Sequence, residues 1–196
     1  TANPAWYIKQ SENVMKWCYE AKIRVGVNIL TGYPWDGAED IRQTQEFVIK
    51  IRKYVTQGFC GGILQPMPNT EIYDQYAKQY NFEKWWLYKK LIFEEDYHPF
   101  FMVYYHVFYE QLENNFFNLN REVYNEIDKL YRIMGKWNLY IITKRRFKNS
   151  VMSFIVYNFL FFLSNLSLFL FNLSPKLEKT LMRPITLFSY KFKYYK

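Results

Sequence analysis

The chain has 196 residues, enough for one ordinary domain with an appendage or for a piece of a larger protein. Its net charge of +8 is uneven, because residues 129–196 hold 13 Lys or Arg against a single Glu while residues 1–128 are slightly acidic. Its two cysteines, Cys18 and Cys60, exclude a disulfide framework and the close cysteine pairs of a zinc site. A reducing, cytoplasmic compartment is therefore expected.

The first predicted element is a helix over residues 11–22, with Ser11 as its N-cap. Apolar or small side chains recur there at the spacing of one helix face, namely Val14, Trp17, Cys18 and Ala21. Cys18 is interpreted as a core residue, because nothing nearby would activate its thiol. The sequence begins with Thr1 rather than Met and shows no secretory signal, so a truncated or processed chain is expected.

The next segment, IRVGVNIL at residues 23–30, alternates with period two and predicts a β-strand. Its β-branched face suits packing under helices and consists of Ile23, Val25, Val27 and Ile29. The opposite face carries Gly26, Asn28 and Leu30. A glycine and an amide on that face suit close approach to a ligand or to a crowded barrel interior.

A helix and a second strand are predicted after the turn GYPW. Asp36 is expected to be the N-cap and Glu39 the capping-box acid of a helix that ends before Gly58. FCGGILQ at residues 59–65 predicts the second strand, which makes a βαβ unit with parallel pairing and a right-handed crossover. Ligands bind beyond the C-terminal ends of such strands, so residues 31–35 and 65–70 are expected to share one functional rim.

Residues 71–138 are predicted to be helical and are intensely aromatic, with breaks at Pro99 and within residues 114–120. His98 and His106 are the only histidines. They are interpreted as solvated or core residues, because they lie on different sides of a helix start and do not form a metal pair.

Residues 151–173 lie in an uncharged segment and reach the length of a membrane-spanning helix. Four polar side chains would each cost free energy in hydrocarbon: Asn158, Ser164, Asn165 and Asn172. Basic residues flank the segment on both sides: Lys144, Arg145, Arg146 and Lys148 before it, and Lys176, Lys179, Arg183, Lys191, Lys193 and Lys196 after it. Three alternatives stay open, namely an interfacial helix between two cationic anchors, a spanning helix and a buried core helix.

Two motifs, in this order, resemble the second half of the radical S-adenosylmethionine (SAM) barrel. GYPWDGAED at residues 32–40 resembles the family pattern Gly-x-Pro-Gly-Glu-Thr-x-x-Asp, and QPMPNTEIY at residues 65–73 resembles Pro-x-Pro-Gly-Thr-x-Leu-Tyr. Trp35 and Asn69 stand where the family has glycine; the second change is mild, because asparagine tolerates the left-handed turn conformation. The Tyr-Pro-Trp variant is similar to family members that carry a cobalamin-binding domain upstream.

This resemblance, which covers residues 12–76, implies that residues 1–80 of an α/β chain are the C-terminal portion of a partial (β/α) barrel with parallel strands. The composition predicts an aromatic-rich helical extension at 81–142 and a basic, hydrophobic tail at 143–196 that contains the candidate membrane-associated helix. The intact parent would cleave SAM reductively at a 4Fe-4S cluster, for 5′-deoxyadenosyl radical chemistry or cobalamin-dependent transfer. The family holds its cluster with a Cys-x-x-x-Cys-x-x-Cys loop, which Cys18 and Cys60 cannot supply. The chain alone is expected to hold no metal, to contribute no catalytic residue, and to need the N-terminal part of the same protein as its partner.

The resemblance also implies four cofactor-binding residues. Asn28 is the candidate polar contact to SAM or substrate, with a purely structural amide as the alternative. Thr31, Gly32 and Gln65 lie at strand ends, where backbone groups in this family approach the adenosyl moiety, although Thr31 and Gln65 also have a structural interpretation.

A second hypothesis is a non-catalytic, membrane-associated helical module in which the βαβ portion is only a scaffold. The basic tail and the aromatic helices favour the cytoplasmic face of a membrane or a lipid-like substrate. Nucleic-acid binding is not expected, because the aromatic residues occur with aliphatic residues in long apolar runs rather than alternating with Lys and Arg.

Overall fold

The computed structural model describes residues 4–87, 99–101 and 115–194. The first part contains helix α1 (Pro4–Glu20), strand β1 (Gly26–Thr31), helix α2 (Ala38–Ile51), a 3₁₀ turn (Arg52–Tyr54), strand β2 (Gly58–Ile63), helix α3 (Glu71–Tyr76) and a second 3₁₀ turn (Trp85–Leu87). Three long helices complete it: α4 (Arg121–Arg146), α5 (Ser150–Leu173) and α6 (Pro175–Tyr194). His98 and His106 lie outside the described residues.

The two strands pair in parallel, with Gly26 opposite Gly58 and Thr31 opposite Ile63. Helix α2 connects them, so the predicted helix–strand–helix–strand order and the α/β class are confirmed. Strand β1 begins later than predicted, because the chain leaves α1 through Lys22 in the left-handed region (φ 59°) and Ile23 is 57% exposed before pairing starts.

One face of this sheet is covered by α2 and α4. The odd-numbered strand residues point into that layer, and Val25, Phe59 and Ile63 are buried there. The two helices contribute Ile41, Val48 and Ile51 from α2, and Ile127, Leu130 and Met134 from α4. Burial of these aliphatic side chains removes apolar surface from water, which is the main stabilising contribution of the layer.

The buried side of α1 differs from the predicted side. Val14 is 49% exposed and Trp17 is 58% exposed, whereas Met15 is buried and Cys18 is half-buried against the core. Both pairs have helical spacing, so the sequence alone does not decide between the two stripes. A sheet of two strands is too narrow to cover both of them, and only the Met15 side meets it.

Helices α5 and α6 form an antiparallel hairpin that packs against the C-terminal half of α4. A second core lies among these three helices and consists of Phe100, Leu139, Leu160, Leu163 and Met182. At its edge the buried Glu178 carboxylate accepts hydrogen bonds from Ser167 Oγ at 2.6 Å and from the Phe100 N–H at 3.1 Å. The predicted boundary between the helical extension (81–142) and the basic, hydrophobic tail (143–196) falls inside helix α4. This helix continues without interruption through residues 142 and 143 and ends at Arg146.

Among the described residues, α5 alone is long and apolar enough to cross a membrane, and 33% of its most apolar stretch is buried inside the protein. Its amide side chains Asn158 and Asn165 each donate to the carbonyl four residues earlier at 2.8 Å, which lowers their cost in an apolar environment. Ser164 Oγ is buried and has no partner among the described atoms. One face of α5 therefore packs on protein and the other is open.

Candidate functional site

The candidate site is the rim formed by the loops that follow β1 and β2. The Leu64 N–H donates to the Thr31 carbonyl at 2.7 Å, so the two loops leave the sheet side by side. This arrangement follows from parallel pairing, which brings the C-terminal ends of both strands to the same edge. The two sequence motifs, residues 32–40 and 65–73, therefore begin at the same edge of the sheet.

The first loop turns at Gly32, which has φ +83°. A Cβ at this position would lie 2.8 Å from Ile63 Cγ2, so both the backbone conformation and the space require glycine. The Asp36 carboxylate accepts from the Gly32 N–H at 2.8 Å and from the Tyr33 N–H at 3.0 Å. Partial burial raises the pKa of Asp36, although these two hydrogen bonds oppose the shift.

Asp36 is therefore not the N-cap of α2, as the sequence pattern predicted. Gly37 is the N-cap, and the Asp40 carboxylate accepts from the Gly37 N–H at 2.9 Å. Glu39, the predicted capping-box acid, forms an ion pair with Arg42 at 2.9 Å instead. The physical reason is that Asp36 finds two backbone donors in the preceding turn, so the helix begins after it.

The Thr31 side chain points beneath the rim, into the layer covered by α4. Thr31 is 2% exposed, and its hydroxyl lies 3.0 Å from the Tyr131 hydroxyl and 3.4 Å from the Gly62 carbonyl. Burial raises the pKa of Tyr131, which keeps the phenol protonated. The Thr31 hydroxyl thus joins β1 to α4. The cofactor-binding role of Thr31 stays a prediction, and because the side chain is buried, that contact would come from its backbone groups.

Asn28 lies on the sheet face opposite the α2–α4 layer, as the strand alternation predicted, and it lines a groove beside α1 together with Gln10, Ser11 and Val14. The residues of this open face are Gly26, Asn28 and Leu30 from β1, with Gly58, Cys60 and Gly62 opposite them on β2. Asn28 is exposed and Leu30 is 49% exposed. Gly26 and Gly62 leave the face flat around Asn28, so a ligand can approach the backbone closely. The role of Asn28 in binding stays a prediction.

The second loop is held by the aromatic residues that follow it. Trp85 Nε1 donates to the Pro66 carbonyl at 2.7 Å, while Gln65 itself is half-buried. Asn69 adopts φ 63°, the left-handed conformation that asparagine tolerates better than other non-glycine residues. Thr70 is the N-cap of α3 and accepts from the Tyr73 N–H at 3.3 Å.

Two exposed side chains of the rim were not predicted as contacts. Trp35 is 61% exposed and stacks on Tyr33 with ring centroids 5.2 Å apart, and Met67 on the second loop is 55% exposed. The signal in the sequence was the pair of aromatic residues that flank Pro34. Trp35 and Met67 therefore each expose apolar surface on one loop of the rim.

The side chains present do not fit an iron–sulfur cluster. Among residues 4–87, 99–101 and 115–194, no three His, Cys, Asp or Glu side chains converge. Cys60 is exposed on the open face, whereas Cys18 is half-buried on α1. Comparison of the chain with protein-family models, with curated proteins and with solved structures finds no match.

Proposed function

We propose that this chain forms the C-terminal wall of a radical SAM-type barrel whose cluster-binding part belongs to a preceding segment of the parent protein. The proposal rests on the difference between the two edges of the sheet. At the outer edge of β2, Asn138 Oδ1 accepts from the Phe59 N–H at 2.7 Å, and Asn138 Nδ2 donates to the Phe59 carbonyl at 2.8 Å. The amide of α4 thus takes the place of a further strand.

In the described part of the chain no further strand pairs with the outer edge of β1, and a groove separates Val27, Asn28 and Ile29 from Gln10, Ser11 and Val14 of α1. Thr31 and Val25 direct their carbonyls to the β2 side, so the alternate residues Gly26, Asn28 and Leu30 direct theirs outward. An unpaired edge of this kind is a template for another strand. Sequential strands of a barrel are neighbours, so strands that add to β1 would come from earlier in the parent sequence.

The distribution of helices and small residues also supports a barrel wall. Helices α2 and α4 both pack on the odd-numbered face, which would be the outside of the barrel. The open face would be the inside, where glycines leave room for a ligand and Asn28 offers an amide. The rim lies at the C-terminal ends of the strands, where barrel enzymes place their active sites.

In the proposed parent, the cluster and SAM supply the radical chemistry, and cobalamin adds group transfer in part of the family. Because the cysteines of this chain do not fit the cluster, no step of SAM cleavage is assigned to its residues. Its residues shape the binding surface instead: Gly32 and Asp36 set the path of the first loop, and Asn28 contacts the ligand. Trp35 and Leu30 exclude water from the mouth of the barrel.

The genomic sequence upstream of the Thr1 codon tests this proposal. An open reading frame that encodes Cys-x-x-x-Cys-x-x-Cys supports it, and a start codon with no such triplet refutes it. With the parent in hand, Asn28→Leu should weaken SAM binding in equilibrium titration by about tenfold, the effect of losing one hydrogen bond to a charged or polar ligand group. Lys78→Gln, on the exposed surface after α3, is the matched control and should leave binding unchanged.

The open face of α5 favours a second candidate function, a non-catalytic module at the cytoplasmic face of a membrane. Phe154, Phe159 and Phe162 are between 59% and 69% exposed, which is unusual for consecutive turns of one helix in water. Under this alternative the sheet is only a scaffold. A parent lacking any cysteine triplet, together with vesicle binding by this chain, would favour the module over the enzyme.

A further inference from the structure

We propose that a cationic, aromatic-walled pocket beside α5 binds the anionic phosphate headgroup of a membrane lipid while the α5–α6 hairpin lies flat in the membrane interface. The pocket has a volume of about 860 Å³ and lies between the C-terminal end of α2, the C-terminal half of α4 and the first turns of α5. Its principal lining residues define the headgroup pocket: Arg52, Lys136, Trp137, Lys144, Lys148 and Tyr157.

The headgroup pocket keeps an uncompensated positive charge. Four of its lining side chains are cationic and none is acidic, and no described carboxylate forms an ion pair with them. Three of the four charged groups lie over aromatic rings instead. Arg52 Cζ is 5.6 Å from the Trp137 ring centroid and Lys144 Nζ is 5.4 Å from that of Tyr140, while Lys136 Nζ is 5.3 Å from the ring centroid of Phe161, beside the pocket. Cation–π contacts orient a cation without neutralising it, so the pocket selects an anion.

The continuity of this pocket with an apolar surface indicates that the anion belongs to a lipid. Phe154 lines the pocket and is 69% exposed, and it belongs to the open face of α5. Further large apolar side chains on the hairpin are at least 40% exposed: Val151, Ile155, Phe159, Phe162, Phe169 and Leu173 on α5, and Leu177, Leu181, Leu187 and Phe188 on α6. Aromatic and cationic groups at the border of an apolar surface are typical of the membrane interface.

The packing of the hairpin favours a helix that lies on the membrane over one that crosses it. Glu178 of α6 contacts Ser167, and Met182 packs in the same cluster as Leu160 and Leu163, so α6 runs back along α5. The exposed Arg183, next to Met182, therefore lies beside the middle of α5. A crossing α5 would place this arginine near the bilayer centre, which disfavours insertion by about a hundredfold, whereas an interfacial hairpin lets it reach the headgroups.

Vesicle binding by a charge-matched pair of variants tests the pocket. The chain should sediment with phosphatidylcholine vesicles that contain phosphatidylglycerol and should remain in solution with phosphatidylcholine alone. Lys136→Gln, Lys144→Gln and Lys148→Gln combined should weaken binding on the order of a hundredfold, since each basic residue near an anionic surface contributes about fivefold. The control removes the same charge elsewhere, with Lys16→Gln, Lys78→Gln and Arg121→Gln combined, and should lose about twofold.

Equal losses in the two triple variants would overturn the proposal, because they would indicate attraction by net charge alone. Both variants are first compared with the unsubstituted chain by circular dichroism and urea unfolding, so a folding defect is separated from a binding defect. Fluorescence quenching gives a readout on the unsubstituted chain: lipids brominated near the headgroup should quench the fluorescence of Trp137. The quenching should fall in Trp137→Phe, and an equal quenching in that variant would also refute the pocket.

Inorganic phosphate distinguishes the two sources of the anion. Millimolar phosphate should raise the midpoint of thermal unfolding by less than phosphatidylglycerol vesicles do, and Phe154→Ser should weaken vesicle binding without changing the response to phosphate. A chain that binds inorganic phosphate but shows no preference for phosphatidylglycerol vesicles would have a site for a soluble phosphate compound, and the lipid assignment would be wrong.

Discussion

Replacing Asn138 with leucine should destabilise the closed edge of the sheet. Asn138 is 2% exposed, and its amide makes one hydrogen bond to the Phe59 N–H at 2.7 Å and another to the Phe59 carbonyl at 2.8 Å. Leucine has a similar size but neither a donor nor an acceptor. The variant therefore leaves two backbone groups of β2 without partners in the protein interior.

The expected loss of unfolding free energy follows from these two groups. A buried backbone group left without a hydrogen bond costs about 1–3 kcal/mol, so the pair costs roughly 2–6 kcal/mol. The greater apolar surface of leucine offsets about 1 kcal/mol of this. A net loss of about 3 kcal/mol is expected, which is a large share of the roughly 5–15 kcal/mol that stabilises an ordinary domain.

Urea unfolding followed by circular dichroism measures the loss, and hydrogen exchange locates it at the Phe59 amide. Asn158→Leu is the matched control, because Asn158 is exposed and bonds only to the Phe154 carbonyl of its own helix. The control should change the unfolding free energy by less than about 0.5 kcal/mol. If Asn138→Leu falls within the same range and the Phe59 amide stays protected, the amide does not close the sheet edge.

Three other changes test the packing and the charges. Gly61→Ala should cost about 1–3 kcal/mol in urea unfolding, because its Cβ would lie 2.9 Å from Cε1 of the buried Tyr131 ring as well as 2.5 Å from Met134 Cε. Gly26→Ala on the open face meets no atom closer than 3.5 Å and should be nearly neutral. The raised pKa of Asp36 means that its contribution to stability is present at low pH and is lost as pH rises above 3.8. Asp36→Asn should remove this part of the pH dependence of the unfolding free energy, and an unchanged dependence would contradict the assignment. The pKa of Glu126 is lowered, mainly by its hydrogen bond to Lys129, so its contribution to stability is present above pH 4.5 and is lost on acidification. Glu126→Gln should abolish this loss of stability at acid pH, and a variant as acid-sensitive as the unsubstituted chain would refute the assignment.

Several features of the site were predictable because they depend on near neighbours in the chain. The alternation around Asn28 identified the open sheet face, and the left-handed turn at Asn69 followed from the tolerance of asparagine for positive φ. The helix start after residue 120 was also expected, and Asn120 accepts from the Val123 N–H at 2.9 Å as the N-cap of α4. The role of Asp36 was wrongly predicted, because a carboxylate near a helix start can accept from the turn before it as well as from the helix after it.

The sequence by itself determined the order of helices and strands, the side of β1 that faces away from the helices, and the glycine and asparagine turns of the rim. These properties arise from the periodicity and backbone preferences of residues a few positions apart. Only the tertiary structure decided which sheet edge is closed and which cations surround the headgroup pocket. The physical reason is distance along the chain: Phe59 meets Asn138, and Arg52 meets Trp137, only after α4 has packed against the sheet and α2.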